Sequence, residues 1–322
     1  MSKKLLMTAA ALVTVGAILL GVGTIIDRDG GTSDLGIILG ETQTEENRET
    51  VSSGENTVSG DNTPSGENAA QLALDPFSHV DLSVVAANVR FEEGEAYGLR
   101  YRLHPDETVV QAKVEGETLC FSTKTREGAS ISGDWEVVVT IPRDARLAEL
   151  SAATVSGDIR LSDRTMEALH LATTSGTIDA AAVTADKVQA VSTSGGIAIT
   201  DLSAHSVNAA STSGNISLSG TADSLELGAT SGNISLSGTT DSLHLSAVSG
   251  SCTFSGNLTG KGSVDTVSGD IDVTVSDAGA KASSLGEISW NGQSQGQSFQ
   301  REGSGGTLTL GSVSGDIRIT TE

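Results

Sequence analysis

The sequence predicts an all-β fold: a single-stranded β-solenoid (β-helix-like) of roughly 18–19-residue coils with an N-terminal β cap, preceded by one transmembrane helix. The first observation behind this is a Ser-Gly dipeptide that returns at Ser156-Gly157, Ser175-Gly176, Ser194-Gly195, Ser213-Gly214, Ser231-Gly232, Ser249-Gly250 and Ser268-Gly269. The steps are 19, 19, 19, 18, 18 and 19 residues, and a last copy stands at Ser314-Gly315. A unit this short cannot bury an apolar face alone and must stack on its neighbours. The second observation is alternation: Leu225, Leu227 and Ala229, then Ile234 and Leu236, recur at every second position. That is the period of a strand with one buried face, where a helical repeat would show a period of about 3.6. The third is composition, since 38 glycines and 3% aromatics leave only a thin core of Val, Ile, Leu and Ala.

The elements follow in chain order. Lys3 and Lys4 precede an uncharged stretch, Leu5 to Ile26. Its 22 residues, at about 1.5 Å each, cover about 33 Å, enough for the ~30 Å hydrocarbon layer. The two lysines place Met1–Lys4 in the cytoplasm and the rest of the chain outside. The competing reading is a cleaved signal peptide with Gly21 and Gly23 before the cut. The apolar stretch is long for a signal core, and no small-x-small site with alanine closes it. From Asp27 to about residue 71 the chain turns to Gly, Ser, Thr, Asn and Glu, which bury too little apolar area to offset ordering entropy. This predicts a disordered acidic tether, interrupted only by Leu35-Gly36-Ile37-Ile38-Leu39.

Residues 72–149 carry strand patterns without the 19-residue rhythm: Val80 to Phe91, Tyr97 to Leu103, Val109 to Val114, Leu119 to Thr123, and Trp135 to Ile141 ended by Pro142. An open solenoid end exposes unpaired strand edges, so this region is expected to be a cap. Residues 150–322 are the coils. Inward positions repeat at Leu169 and Leu171 then Ile178, at Val188 and Ala190 then Ile197, and at Val207 and Ala209 then Ile216. Parity shifts at each Ser-Gly, where glycine is expected to supply a corner of positive φ. The serine before it takes inward parity, which predicts an internal hydroxyl ladder. A second turn, such as Ser219–Asp223, closes each coil. Nine coils between Leu150 and Ile319, at about 4.8 Å each, would make a rod roughly 40 Å long. The stretch 290–306 reads as an inserted loop or hairpin.

The layout resembles the bacterial domain-of-unknown-function 4097 family of β-strand-repeat surface proteins, regarded as candidate adhesins. Four features carry the resemblance: the N-terminal anchor, the opening strand Asp81–Gly94, the segment Val137–Pro142 leading into the coils, and the repeated Thr/Val-Ser-Gly-Asp/Asn-Ile. The resemblance covers roughly residues 72–322. It implies a membrane-tethered solenoid facing outward, with no catalytic residues to carry over. For some members it implies an association with envelope-stress systems.

The residues that carry chemistry are sparse. A net charge of -22 argues against nucleic acid, which needs clustered Lys and Arg. Cys120 and Cys252 read as small buried hydrophobes, not as a disulfide or a nucleophile. Positions after Ser-Gly include Asp158 and Asp270, six coils apart and about 29 Å from each other, too far to share a catalytic site. Asp270, Glu287 and Asp316 are expected on three successive coils, about 5 Å apart, where either a cation or backbone N–H bonds would relieve repulsion. The second reading is favoured. Asn215 and Asn233 suggest an amide ladder at the corner. His170 and His244 lie between inward neighbours and so point outward, at no metal-ligand spacing. Trp290 and Phe299 stand on the inserted loop, either as a contact site or as a cover for the last coil. No catalytic residue, cofactor or metal is expected. The expected function is non-enzymatic: surface binding of a protein or glycan, or a structural role, with the membrane as the other partner. The alternative is an accessory or sensor component of an envelope-stress system acting through a membrane partner. A carbohydrate-active enzyme is a third reading. Oligomeric state is not legible.

Overall fold

A computed structural model describes residues 68–126, 133–276, 278–303 and 305–321, and every regular element in them is a strand. The apolar segment 5–26 and most of the tether lie outside the described residues. None of the described elements is a helix long and apolar enough to cross a membrane. The N-terminal end holds β1 (Asn68–Ala73), β2 (His79–Val84), β3 (Asn88–Gly94), β4 (Gly98–Leu103), β5 (Glu107–Glu115), β6 (Thr118–Thr125), β7 (Glu136–Pro142) and β8 (Leu147–Thr154). Six long bent strands follow: β9 (Ile159–Thr173), β10 (Ile178–Ser192), β11 (Ile197–Ser211), β12 (Ile216–Ala229), β13 (Ile234–Ala247) and β14 (Cys252–Thr266). The C-terminal end holds β15 (Ile271–Val275), β16 (Gly279–Trp290), β17 (Gln293–Arg301), β18 (Thr307–Ser312) and β19 (Ile317–Thr321).

One coil shows how the sequence makes the shape. In β10, Ile178, Ala180, Val183, Ala185, Val188 and Ala190 are buried, so the inward parity resets twice within the strand. The ladder to β9 skips residues 182 and 186. Ala182 has φ of 52°, as Asp163 and Asp201 have 53° and 52° in the neighbouring coils. Each coil therefore has three short sides, one more bend than the sequence showed. Where a coil shortens to 18 residues, Gly220 (φ 144°) makes the bend with one residue fewer, a conformation open to glycine and costly for other residues. Coils stack parallel and in register. Ile159, Ile178, Ile197, Ile216, Ile234, Cys252 and Ile271 form one column, so Cys252 does hold an isoleucine place in the core.

The Ser-Gly corner differs from expectation in two ways. Its glycines do not have positive φ. They are required because the backbones of successive corners nearly touch: a Cβ on Gly176 would collide with the Gly157 carbonyl, and the same holds from Gly195 to Gly315 at each corner. The serine before each glycine is exposed. The internal hydroxyl column lies two residues earlier, at Thr154, Thr173, Ser192, Ser211, Thr266 and Ser312. At Thr154, Thr173, Ser192, Ser211 and Ser312 the hydroxyl oxygen accepts the N–H of the corner glycine, at 2.9 Å for Thr173 and 2.8 Å for Ser192. Thr266 Oγ1 donates to the Gly250 carbonyl of the coil before it (3.1 Å). At Ala229 and Ala247 the column has no hydroxyl.

The ends are closed by the chain doubling back. Val80 to Phe91 is not one strand; it bends at residues 85–87 into β2 and β3. That coil is sandwiched in space between β6–β7 and β8–β9. Antiparallel β4 and β5 then edge β7 and β6, and β1 edges β4. At the other end, β18 and β19 slot between the β14–β15 coil and β16, and β17 returns antiparallel on β16. The inserted stretch is thus the outer arm of a hairpin that begins at Gly279. Asn291 and Gly292 turn it, both at positive φ (46° and 75°), the turn that Asn-Gly favours.

Candidate functional site

At the corner ladder, the carboxylate and amide oxygens after Ser-Gly accept a backbone N–H from the neighbouring coil. Asp158 Oδ1 takes Thr177 N (2.8 Å), Asn215 Oδ1 takes Asn233 N (2.9 Å), and Asn233 Oδ1 takes Ser251 N (2.9 Å). Burial pushes the Asp158 carboxyl up, but the Thr177 bonds and Arg160 together hold it below the usual range. Asp270, Asp316 and Glu287 do stack, but in that order, because β19 is slotted beneath β16. Asp316 N donates to Asp270 Oδ1 (2.9 Å), and Glu287 N donates to Asp316 Oδ1 (3.0 Å). The positive charge among them is Arg318, 3.2 Å from Asp270, 3.4 Å from Asp272 and 3.4 Å from Asp316. Its guanidinium is held more basic than usual by its hydrogen bond to Asp270 and by Asp272. The sequence did not offer Arg318 as a partner, because it lies 48 residues from Asp270 along the chain.

On the hairpin, Phe299 stacks on Trp290 with ring centroids 5.0 Å apart, and the Arg301 guanidinium lies over the Trp290 ring at 4.6 Å. Both contacts use the π faces through which an aromatic ring would meet a sugar, and both rings pack on the core. The exposed apolar residue nearby is Leu285, 60% accessible.

A third region combines residues that the sequence left separate. The last sides of all the coils form one continuous sheet face, from β5 and β6 through β2, β8 and the long strands to β18, β16 and β17. At its N-terminal end an open depression of about 790 Å³ is lined by His79, Asp81, Glu115, Cys120, Glu149 and Lys187, among others. Burial, and then Glu149, push the Asp81 carboxyl up. Burial, then Asp81 and Glu115, push up the Cys120 thiol. Cys120 is therefore not the buried core residue expected; its parity faces it out of the sheet, opposite Asp81. Cys252 is buried as expected, and burial pushes its thiol to about 12.

Farther along the same face, His170, Gln189, Asn208, Glu226, His244 and Ser263 form one outward column, a residue per coil. Asn208 Nδ2 donates to Glu226 Oε2 (3.4 Å), and His244 Nδ1 lies 2.6 Å from Ser263 Oγ. Alternation in the sequence already pointed these side chains outward.

A family model described as Toastrack DUF4097 matches residues 77–320. The chain belongs to this family. The Toastrack match spans the stack of coils and both doubled-back ends except β1. No curated protein matches the chain. Among solved structures it is similar to a candidate adhesin from Bacteroides fragilis, at 16% identity over 80% of this chain and 98% of that one, with a TM-score of 0.43. It is also similar to a candidate lipid-binding protein from Parabacteroides distasonis (14%, 79% and 97%, 0.47). A candidate adhesin from Parabacteroides merdae is a third (12%, 80% and 97%, 0.48).

Proposed function

We propose that this Toastrack protein is a non-enzymatic surface module, anchored by residues 5–26, held off the membrane by an acidic tether, and binding an extracellular ligand along its solenoid. One observation carries the reading: the sheet face runs unbroken across the whole body and repeats one side chain per coil, the kind of extended surface on which solenoids bind. The chemistry of the corners supports it. Asp158, Asp270 and Asp316 hydrogen-bond backbone and pair with Arg160 or Arg318, instead of converging on a space where a substrate would react. In the Ser263–His244 pair the other ring nitrogen, His244 Nε2, makes no hydrogen bond to a group that would orient it as a catalytic base. The acidic surface fits an extracellular setting and a partner that is not nucleic acid.

The test is cell-surface display. Intact cells carrying the full chain should adhere to an extracellular matrix or a neighbouring cell wall better than cells lacking it. The protein should stay in the membrane fraction through alkaline washing, at its full-length mass. Equal adhesion of both strains, or turnover of a glycan panel by the pure protein, would overturn the reading.

A further inference from the structure

The strand that finishes the C-terminal end has an open edge. Among the described residues β17 pairs with β16 alone, so its other side presents a row of backbone N–H and C=O groups to water. Such an edge is a template for a further strand unless it is short, charged, covered or broken by proline. β17 has nine residues, no proline, and no charge from Gln293 to Gln300. Every residue in it except Phe299 is exposed, so the strand adds little to the core. A hairpin arm with so little beneath it gains from a second pairing partner.

β17 also takes the last corner differently from a coil. The register steps from Ser283–Ser298 to Ile288–Gly296, so β16 spends residues 284–287 where β17 spends Gln297 alone. Leu285 stands on that slack, 60% accessible, and Gln297 Nε2 donates to its carbonyl (2.9 Å). The middle of the open edge therefore has an exposed leucine beside it. The edges at the other end of the stack are better defended. β5 carries Lys113 and Glu115, and β1 is only six residues long and continues from the acidic tether.

Charge decides what can approach. With a net charge of -22, two copies of the chain repel over most of their surface. Residues 279–303 instead set Lys281 and Arg301 against Glu287 and Glu302, so the hairpin is neutral and that repulsion is locally absent. A strand that meets itself antiparallel does so across a two-fold axis. Gln and Ser side chains both donate and accept, so this strand is a polar match for its own copy. Hydrogen bonds between coils run along the rod, and β17 closes the end opposite to the one where the tether enters at β1. Pairing through β17 would thus continue the stack into a second rod pointing the other way, with the two tethers at the far ends.

We infer that β17 pairs antiparallel with β17 of a second copy, joining two rods tip to tip between facing membranes. This rests on the anchored surface module proposed above and names a partner for it, another copy of the same chain. One strand edge is a small contact, so the pair is weak in solution and holds between surfaces that carry many copies.

The experiment uses the full chain, in detergent by sedimentation velocity and in lipid vesicles by light scattering. A monomer–dimer equilibrium that shifts with concentration is expected, and vesicles carrying the chain should cluster with one another but not with bare vesicles. Gln295→Lys combined with Gln297→Lys sets like charges across the two-fold axis and should weaken dimerisation about tenfold or more. Gln295→Glu with Gln297→Glu should do the same, and mixing the lysine and glutamate chains should restore pairing, which a misfolded variant could not do. Gln71→Lys, on the uncharged edge of β1, should change nothing. A monomer at every concentration with no clustering would leave the edge to a foreign strand and overturn the inference. Clustering onto bare vesicles, or pairing unaffected by the double lysine chain, would overturn it too. If wild-type vesicles do not cluster while displaying cells still adhere to matrix, tip pairing fails and the surface-binding function stands.

Discussion

At Gly176 one coil lies so close to the next that any side chain would strike the Gly157 carbonyl, whereas at Gly196 the nearest atom to an added Cβ is 3.6 Å away. Gly176→Ala is therefore expected to cost on the order of 3 kcal/mol, read as a lowered denaturation midpoint, and Gly196→Ala to change little. The hydroxyl column makes the opposite kind of prediction. Ala229→Ser would give Gly232 N–H the acceptor that Ser211 gives Gly214 at 2.8 Å. It should stabilise by about 0.5–1.5 kcal/mol, and Ser211→Ala should destabilise by a similar amount. Asp265 governs a pH effect. Burial pushes its carboxyl up, and His244 only partly opposes this. The folded state then holds that proton at a pH where the unfolded state has released it, so stability falls as pH rises from the unfolded value through the folded one. Asp265→Asn should raise the melting temperature at neutral pH and change it less at acid pH. A flat difference between the two chains across that range would refute the assignment.

Among the elements, the doubled-back ends do the most to keep the stack finite. A parallel coil ends on an unpaired edge, and here each end is covered by antiparallel strands that follow a corner or an Asn-Gly turn. At the C-terminal end, β18 and β19 are the layer between β14–β15 and β16, so removing them takes away the partner on both sides. Truncation before Thr307 is expected to bare those edges and drive association, visible as larger species in size-exclusion chromatography. An unchanged monomer-sized peak with wild-type melting would show that β16 can settle directly on β14. Much of this level was legible beforehand. The alternation at Leu169, Leu171 and Ile178 and the Ser-Gly spacing indicated stacked strands, and the stretch 290–306 read as an inserted loop or hairpin. The slotting of β19 beneath β16 was not legible, because chain order and stacking order part company there. It reordered Asp270, Asp316 and Glu287 and brought Arg318 among them.

For the molecule as a whole, periodicity alone dictated a solenoid. An 18–19-residue unit with two-residue alternation and almost no aromatics has no other way to bury its aliphatic residues. The same periodicity settled which side chains face outward, His170, His244 and Asn208 included. It could not say where the outer surface is convex or hollow. That depends on how three short sides meet at each bend, and the bend angles arise from packing between coils, not from any residue's own preference. Hence a glycine that looked like a flexible corner proved to be a spacer for backbone contact. The inward hydroxyls proved to stand two places before the serines that mark the repeat.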